Sequence, residues 1–543
     1  MNMKNLKNLS LIVVLCSLCL TSCKDYLTEI EPGTTLLEDY FTSTATAKEN
    51  LVGCYVPLMW EYNQTYCSEW FIGDIASDDA LKGGGSTADM ADAYDFENWR
   101  TESNNTLLHD FYVAQYQGIA RCNLSLQYVA NMEVGIDEEF TQSMKNRLLG
   151  EAYYLRAYYY FRLLRVFAGV PLVTQVVDNI DDWGQDRASV AAVFDQILSD
   201  LEMANKYLWV KSAYPADELG RATKGAAQAM LLKVNLYMGS PYWQGYNPSK
   251  LAAQCFKDAK AWGDSIITSG EYALCPKFDD NFTIEGENGI ESVFEIQYAE
   301  VPWGDYTWDY DYRGFGRTAG SFTQILIRSR SSKIGGGWGF NHPTQDLYNE
   351  FEKGDLRRDV AILNPADELI ETPAVEYYLG NKLLNNKYAM YRDSLYSGAG
   401  YGQWGIHASR GPLNNRQIRY GDVLLMYAEA CLGAGDAGTA LTYINMVRAR
   451  AGLGAIAAAD DAALRHERRC ELAMEGHRWF DIVRWKGVKG NGLKAHMDAY
   501  KLTETEEAQS HMREFIENKH ELFPIPYEEI LLNSVKMEQN PGY

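Results

Sequence analysis

Apolar positions recur every three to four residues over several long stretches of this chain, the spacing that gives an α-helix one oily face. Residues 148–167 (LLGEAYYLRAYYYFRLLRVF) read as a helix that Gly169 and Pro171 bring to an end. A second helix follows over 191–208. In 225–238, Ala227, Met230, Leu231, Val234 and Met238 share a face; Gly239 stops that helix and 251–268 supplies its partner. A third pair is expected at 421–436 and 437–449, the latter aligning Ala440, Leu441, Ile444 and Val447. Residues 106–132 suggest a fourth, less distinct pair. The pattern predicts a mostly α fold made of helical hairpins.

Small residues on the first helix of each pair (Ala157, Ala226, Ala229, Ala428, Ala430) allow a second helix to approach closely. Pairs of this kind resemble tetratricopeptide repeats, here separated by long insertions, so a continuous solenoid is not expected. The scaffold is placed mainly at 104–272 and 419–485. Between them, about 273–418, the helical pattern fails. Glycines and aromatics crowd into VPWGDYTWDYDYRGFGR (301–317), GGGWGF (335–340) and SGAGYGQW (397–404). Short strands are plausible in 291–299, but loops should dominate, and long loops on a rigid scaffold are where binding residues usually sit.

The first residues follow a different logic. Lys4 and Lys7 precede a short apolar stretch, Leu9 to Leu20, too short to span about 30 Å of hydrocarbon as a helix. Residues 1–22 therefore read as a signal peptide. Leu20-Thr21-Ser22-Cys23 resembles the bacterial lipobox, which would make Cys23 the lipidated first residue of the mature protein. One acyl chain anchors only marginally, so stable attachment needs more than one. Beyond Cys23 no run approaches eighteen consecutive apolar residues.

Composition narrows the partners. The net charge of −23 repels phosphate backbones and anionic membrane surfaces, which disfavours nucleic acid as a ligand. Thirty-seven tyrosines stand out, most of them expected between helices. Seven cysteines follow Cys23, none in a CxxC spacing, so neither zinc nor a redox pair is indicated. Cys122, Cys255, Cys431 and Cys470 fall in helical patterns and should be buried, inert thiols.

Three constellations could carry chemistry. His466, Cys470 and Glu471 have helical spacing that could face a metal. One face of one helix rarely supplies a complete ligand set, so the segment reads instead as a charged helix whose Glu467, Arg468, Arg469, Glu471, Glu475 and Arg478 pair with one another. GDIASDDA (73–80) brings Asp74, Asp78 and Asp79 together. Paired carboxylates can hydrolyse a glycosidic bond, but they also bind sugar hydroxyls or cap helices, and ligand contact is the functional reading preferred. No GxSxG, HExxH or P-loop pattern occurs. Finally, Trp303, Tyr306, Trp308, Tyr310 and Tyr312 fall within ten residues, interleaved with acids and Arg313. Indoles pack on the C–H faces of sugar rings, so Trp303 and Trp308 are expected to stack on ligand. Tyr306, Trp338 and Asp74 to Asp79 are the expected neighbours, with Trp99, Asn104 and Trp404 as further candidates.

Several blocks in order resemble the SusD/RagB family of outer-membrane nutrient-binding lipoproteins. They are Cys23 followed by Lys24-Asp25-Tyr26-Leu27, then 150–173, 220–240, 419–436 with 444–453, ERRCELAMEGHRWFDIVRW (467–485), and LFPIPYEEILLN (522–533) ahead of QNPGY. The resemblance covers nearly the whole mature chain, with departures in 273–420 and near 74–105. It implies a single SusD-like domain over 23–543, lipid-anchored on the outer membrane and facing the exterior. Such a protein covers the opening of a SusC-type TonB-dependent transporter and delivers glycans or, in some members, peptides. It implies no catalytic activity and no cofactor. The alternatives are a peptide-binding member or, more remotely, a glycoside hydrolase using the carboxylates near residue 74.

Overall fold

The computed structural model describes residues 37–60, 69–179, 183–299, 320–330, 336–365, 378–389, 411–533 and 537–543. Its frame is a succession of helices: α1 Thr44–Tyr55, α2 Thr106–Asn131, α3 Gln142–Phe167, α4 Val190–Tyr207, α5 Lys224–Gly239, α6 Ala252–Thr268, α7 Tyr420–Gly433, α8 Ala437–Arg450, α9 Asp461–Leu472 and α10 Arg478–Arg484. Several begin at a side-chain cap that accepts a hydrogen bond from an otherwise orphan N–H. Asn105 caps α2, Thr141 α3, Ser189 α4, Thr223 α5 and Asp460 α9.

The helices found at 142–167, 190–207, 224–239, 252–268, 420–433 and 437–450 match the spacing argument to within a few residues. The stretch at 106–132 does not: it forms one long helix, α2, in place of a hairpin. Its buried Leu108, Phe111, Gln115, Ile119 and Cys122 hold one stripe without a break, and no glycine–proline stop interrupts them.

Each helix packs on the next, from α2 through α8. The long insertion between Thr268 and Tyr420 interrupts this succession in sequence but not in space, because α6 lies directly against α7. Their contact depends on Gly263, where an added Cβ would stand 2.2 Å from the Tyr427 ring. Gly118 does the same for α2 on α3, with its virtual Cβ 2.3 Å from the Tyr159 ring. The alanines expected at close approaches, Ala157, Ala226, Ala229, Ala428 and Ala430, are all fully buried. α3 is buried on nearly every side. Tyr154, Tyr159 and Tyr160 lie wholly inside it, and the Tyr159 hydroxyl donates to the Cys54 carbonyl at 2.7 Å.

The described part of 273–420 is more regular than loops. Three short antiparallel pairs run through it and tie it to the frame. β1 (Ala80–Gly83) pairs β3 (Phe340–Pro343), with Leu81 opposite His342. β2 (Ser292–Ile296) pairs β6 (Asn415–Arg419), with Ile296 opposite Asn415. β4 (Ile362–Leu363) pairs β5 (Leu384–Asn385). β6 runs straight into α7, so this sheet is anchored to the helical stack. Among the described residues no helix is long and apolar enough to cross a membrane. Cys54, Cys122, Cys255, Cys275, Cys431 and Cys470 are buried free thiols.

Candidate functional site

The acidic segment sits on a π-helical turn, Phe71–Ile75, that leads into β1. The turn lies hard against the loop between α9 and α10: a Cβ on Gly73 would fall 1.9 Å from the Gly476 carbonyl oxygen. This seating sends all three carboxylates inward. Asp74 accepts from the Gly476 N–H at 2.8 Å and from Asn341 Nδ2 at 3.1 Å. Asp78 takes a two-pronged pair from Arg478, both contacts 2.7 Å, and a third contact from His496 Nε2 at 3.0 Å. Asp79 faces Arg469 Nε at 2.8 Å, and Arg469 also holds Asp346 at 2.8 Å.

Asp74, Asp78 and Asp79 are 0, 0 and 1 % exposed, so the contact with ligand expected of them gives way to a structural role. Burial raises Asp74 to about 7 and Asp79 to about 6. Burial would raise Asp78 too, but Arg469, Arg478 and His496 outweigh it and hold that carboxyl well below the usual range. Trp99 is likewise inside. Its Nε1 donates to the Ala76 carbonyl at 3.1 Å and its ring meets Phe515 edge-on. Asn104 is exposed in the turn ahead of α2, and Trp338 is half-buried beside Phe322, ring centres 5.9 Å apart. Trp303, Tyr306, Trp308, Trp404 and Cys23 lie outside the described residues.

The charged run over α9 and α10 is also internal, which corrects the expectation that its residues pair with one another. Its side chains pair with other elements more than with one another. Glu467 meets Arg357 and Arg448; Arg468 meets Asp422 and Asp481. Glu471 meets Arg357, Arg419 and Arg450, and Glu475 meets Lys387 and Arg419. His466 binds Glu350 at 2.7 Å. Among the described residues no cluster of three metal-ligating side chains occurs.

A different kind of polar site opens between the segment that follows α1, the inner part of α2, the last turns of α3 and the strands β2, β3, β5 and β6. This cleft encloses about 680 Å³, counting its open mouth. Amides dominate its polar lining: Gln115, Asn341, Asn385, Asn415 and Gln417. Trp60, Trp70, Ile296, Ile327 and Met474 supply apolar surface. The charges present are already engaged. Arg162 lies 3.7 Å from Glu69, which also pairs with Arg165, and Glu475 is held by Arg419 and Lys387. Three neutral atoms in the lining find no hydrogen-bond partner among the described residues: Trp70 Nε1, Gln115 Oε1 and Asn341 Oδ1. Amides that can both give and accept, set among aromatics, suit a neutral hydroxyl-rich ligand.

Sequence reasoning missed this lining. A signal was present in Gln115, a lone amide in the apolar stripe between Phe111 and Ile119 of α2. Asn341 gave none, because only the pairing of β1 with β3 brings it there.

Comparison with known proteins decides the lineage. The SusD family model matches residues 290–543, and a second, described as "Starch-binding associating with outer membrane", matches residues 32–236. The chain belongs to the SusD/RagB family. Among its SusD relatives, SusD-like protein P2 of Formosa agariphila is 24% identical, over 99% of this chain and 100% of its own. Surface glycan-binding protein A from Bacteroides fluxus superposes with a TM-score of 0.75 at 26% identity, over 92% of this chain and 100% of its own. A laminarin binding SusD-like protein gives 0.73 at 28% identity, over 92% and 99%. Both of these solved neighbours are named as binding proteins.

Proposed function

We propose that this protein is a surface lipoprotein, anchored through Cys23, that captures a neutral glycan and passes it to a SusC-type TonB-dependent transporter in the outer membrane. The observation that carries the reading is the amide-lined cleft. Ile296 and Thr323, which flank the aromatic segment 301–317 in the sequence, both belong to its lining. Trp303 and Trp308 are assigned as the stacking platforms, with Tyr306 and Trp338 beside them. The likeness to a laminarin binding protein makes laminarin oligosaccharides the first ligands to try.

The test is calorimetric titration of wild type, Trp303→Ala and Trp308→Ala, with thermal melts alongside. Truncating an aromatic anchor costs about 2 kcal/mol or more, which is roughly thirtyfold in affinity. Loss of that size with unchanged melting supports the assignment. Binding within twofold of wild type in both variants removes the segment from the site.

A further inference from the structure

We infer that the inner wall of the cleft is a built subsite for one sugar ring, read by Trp70 Nε1, Gln115 Oε1 and Asn341 Oδ1. The inference deepens the capture reading above and rests on it. Three distant parts of the chain converge here: the residue before the π-helical turn, the middle of α2, and β3. Trp70, Gln115 and Asn341 are 6, 2 and 2 % exposed, and each keeps one polar atom without a partner among the described residues. Native proteins seldom leave such atoms unpaired, so each calls for a reason.

The orientation of the free atoms is fixed. Gln115 spends its Nε2 on the Phe111 carbonyl at 3.0 Å, and Asn341 spends its Nδ2 on Asp74 at 3.1 Å, so in each amide of this lining it is the oxygen that is left unpaired. The Trp70 indole is held by stacking on Phe71, ring centres 4.0 Å apart. The result is one N–H donor and two C=O acceptors, all neutral. Arg162 Nε also lacks a hydrogen bond, but Glu69 stands 3.7 Å away and takes its charge. Among the described residues a carboxylated sugar would find no free cation here. A neutral sugar fits, because its hydroxyls can donate to the two amide oxygens and accept from the single indole N–H.

The experiment titrates the full-length protein with laminarihexaose, maltohexaose, xylohexaose, mannohexaose and tetra-alanine, and melts each variant without ligand. Trp70→Phe keeps a ring and loses only the N–H; Gln115→Met keeps the length and loses the amide. The expected result is binding of at least one hexasaccharide by wild type, weakened tenfold or more in both variants, with ligand-free melting temperatures no lower than wild type. Three outcomes overturn the inference: sugar affinity within twofold of wild type, a lower melting temperature at unchanged affinity, or tetra-alanine as the ligand lost. If Trp303→Ala weakens sugar binding while the cleft variants do not, this subsite falls and the capture reading stands. If wild type binds none of the sugars, both fall.

Discussion

The acidic segment around Asp78 and the cleft next to it are both buried and both polar, yet they obey opposite rules. Around Asp78, Asp79, Arg469 and Arg478 every buried side-chain polar atom has a hydrogen-bond partner, and the charges are matched one against another. In the cleft lining the charges are paired and three buried neutral atoms have no partner among the described residues. Asn341 belongs to both, its nitrogen given to Asp74 and its oxygen left to the cleft. Buried polarity alone is thus no mark of a binding site. At these two places the difference is whether the protein completes its own hydrogen bonds.

The contrast can be broken most sharply at Arg478. Replacing it with Met leaves Asp78 inside the protein without its two-pronged partner, and removing one member of such a pair costs about 3–5 kcal/mol. Urea unfolding should show a free energy of unfolding lower by that amount, whereas Gln115→Met should show no loss. Equal losses in the two would erase the distinction.

A smaller effect tests the acidic segment through pH. Burial lifts the Asp74 carboxyl from 3.8 to about 7, so the folded state favours its neutral form. That stability is present in full below pH 4 and is lost as pH rises through about 7. Asp74→Asn fixes the neutral shape and should match wild type near pH 4 but exceed it at pH 8 by about 1–3 kcal/mol. Melting curves across that range check the sign; a variant weaker at pH 8 refutes it.

The smallest effect belongs to the rim. Asp346 is 27 % exposed and shares Arg469 with the fully buried Asp78 and Asp79. Asp346→Ala should cost about 0–1 kcal/mol, as exposed pairs do, and the loss should fade in 0.5 M salt. A cost near that of Arg478→Met would place the rim and the buried pairs in one class.

The frame was largely legible because periodicity is local. The stripes of α3, α5, α7 and α8 lie in the residues themselves, and the stops at Gly169 and Gly239 mark their ends. Failures came where the answer depends on distant partners. GDIASDDA reads as a ligand-contacting acidic segment until α9 and α10 deliver Arg469 and Arg478 to it. The α9 run reads as a helix paired within itself until Arg357, Arg419 and Arg450 arrive from outside. Cleft residues such as Asn341 and Gln417 sit on short strands whose pairing no local pattern announces.

The bond between Asp78 and Arg478 spans 400 positions of the chain. On a ribosome adding about 5–20 residues per second, the acid waits roughly 20–80 s for its base. Until Arg469 and Arg478 are made, Asp78 and Asp79 lack the partners they hold in the folded molecule, and the pairs can close only in a chain that extends through residue 478.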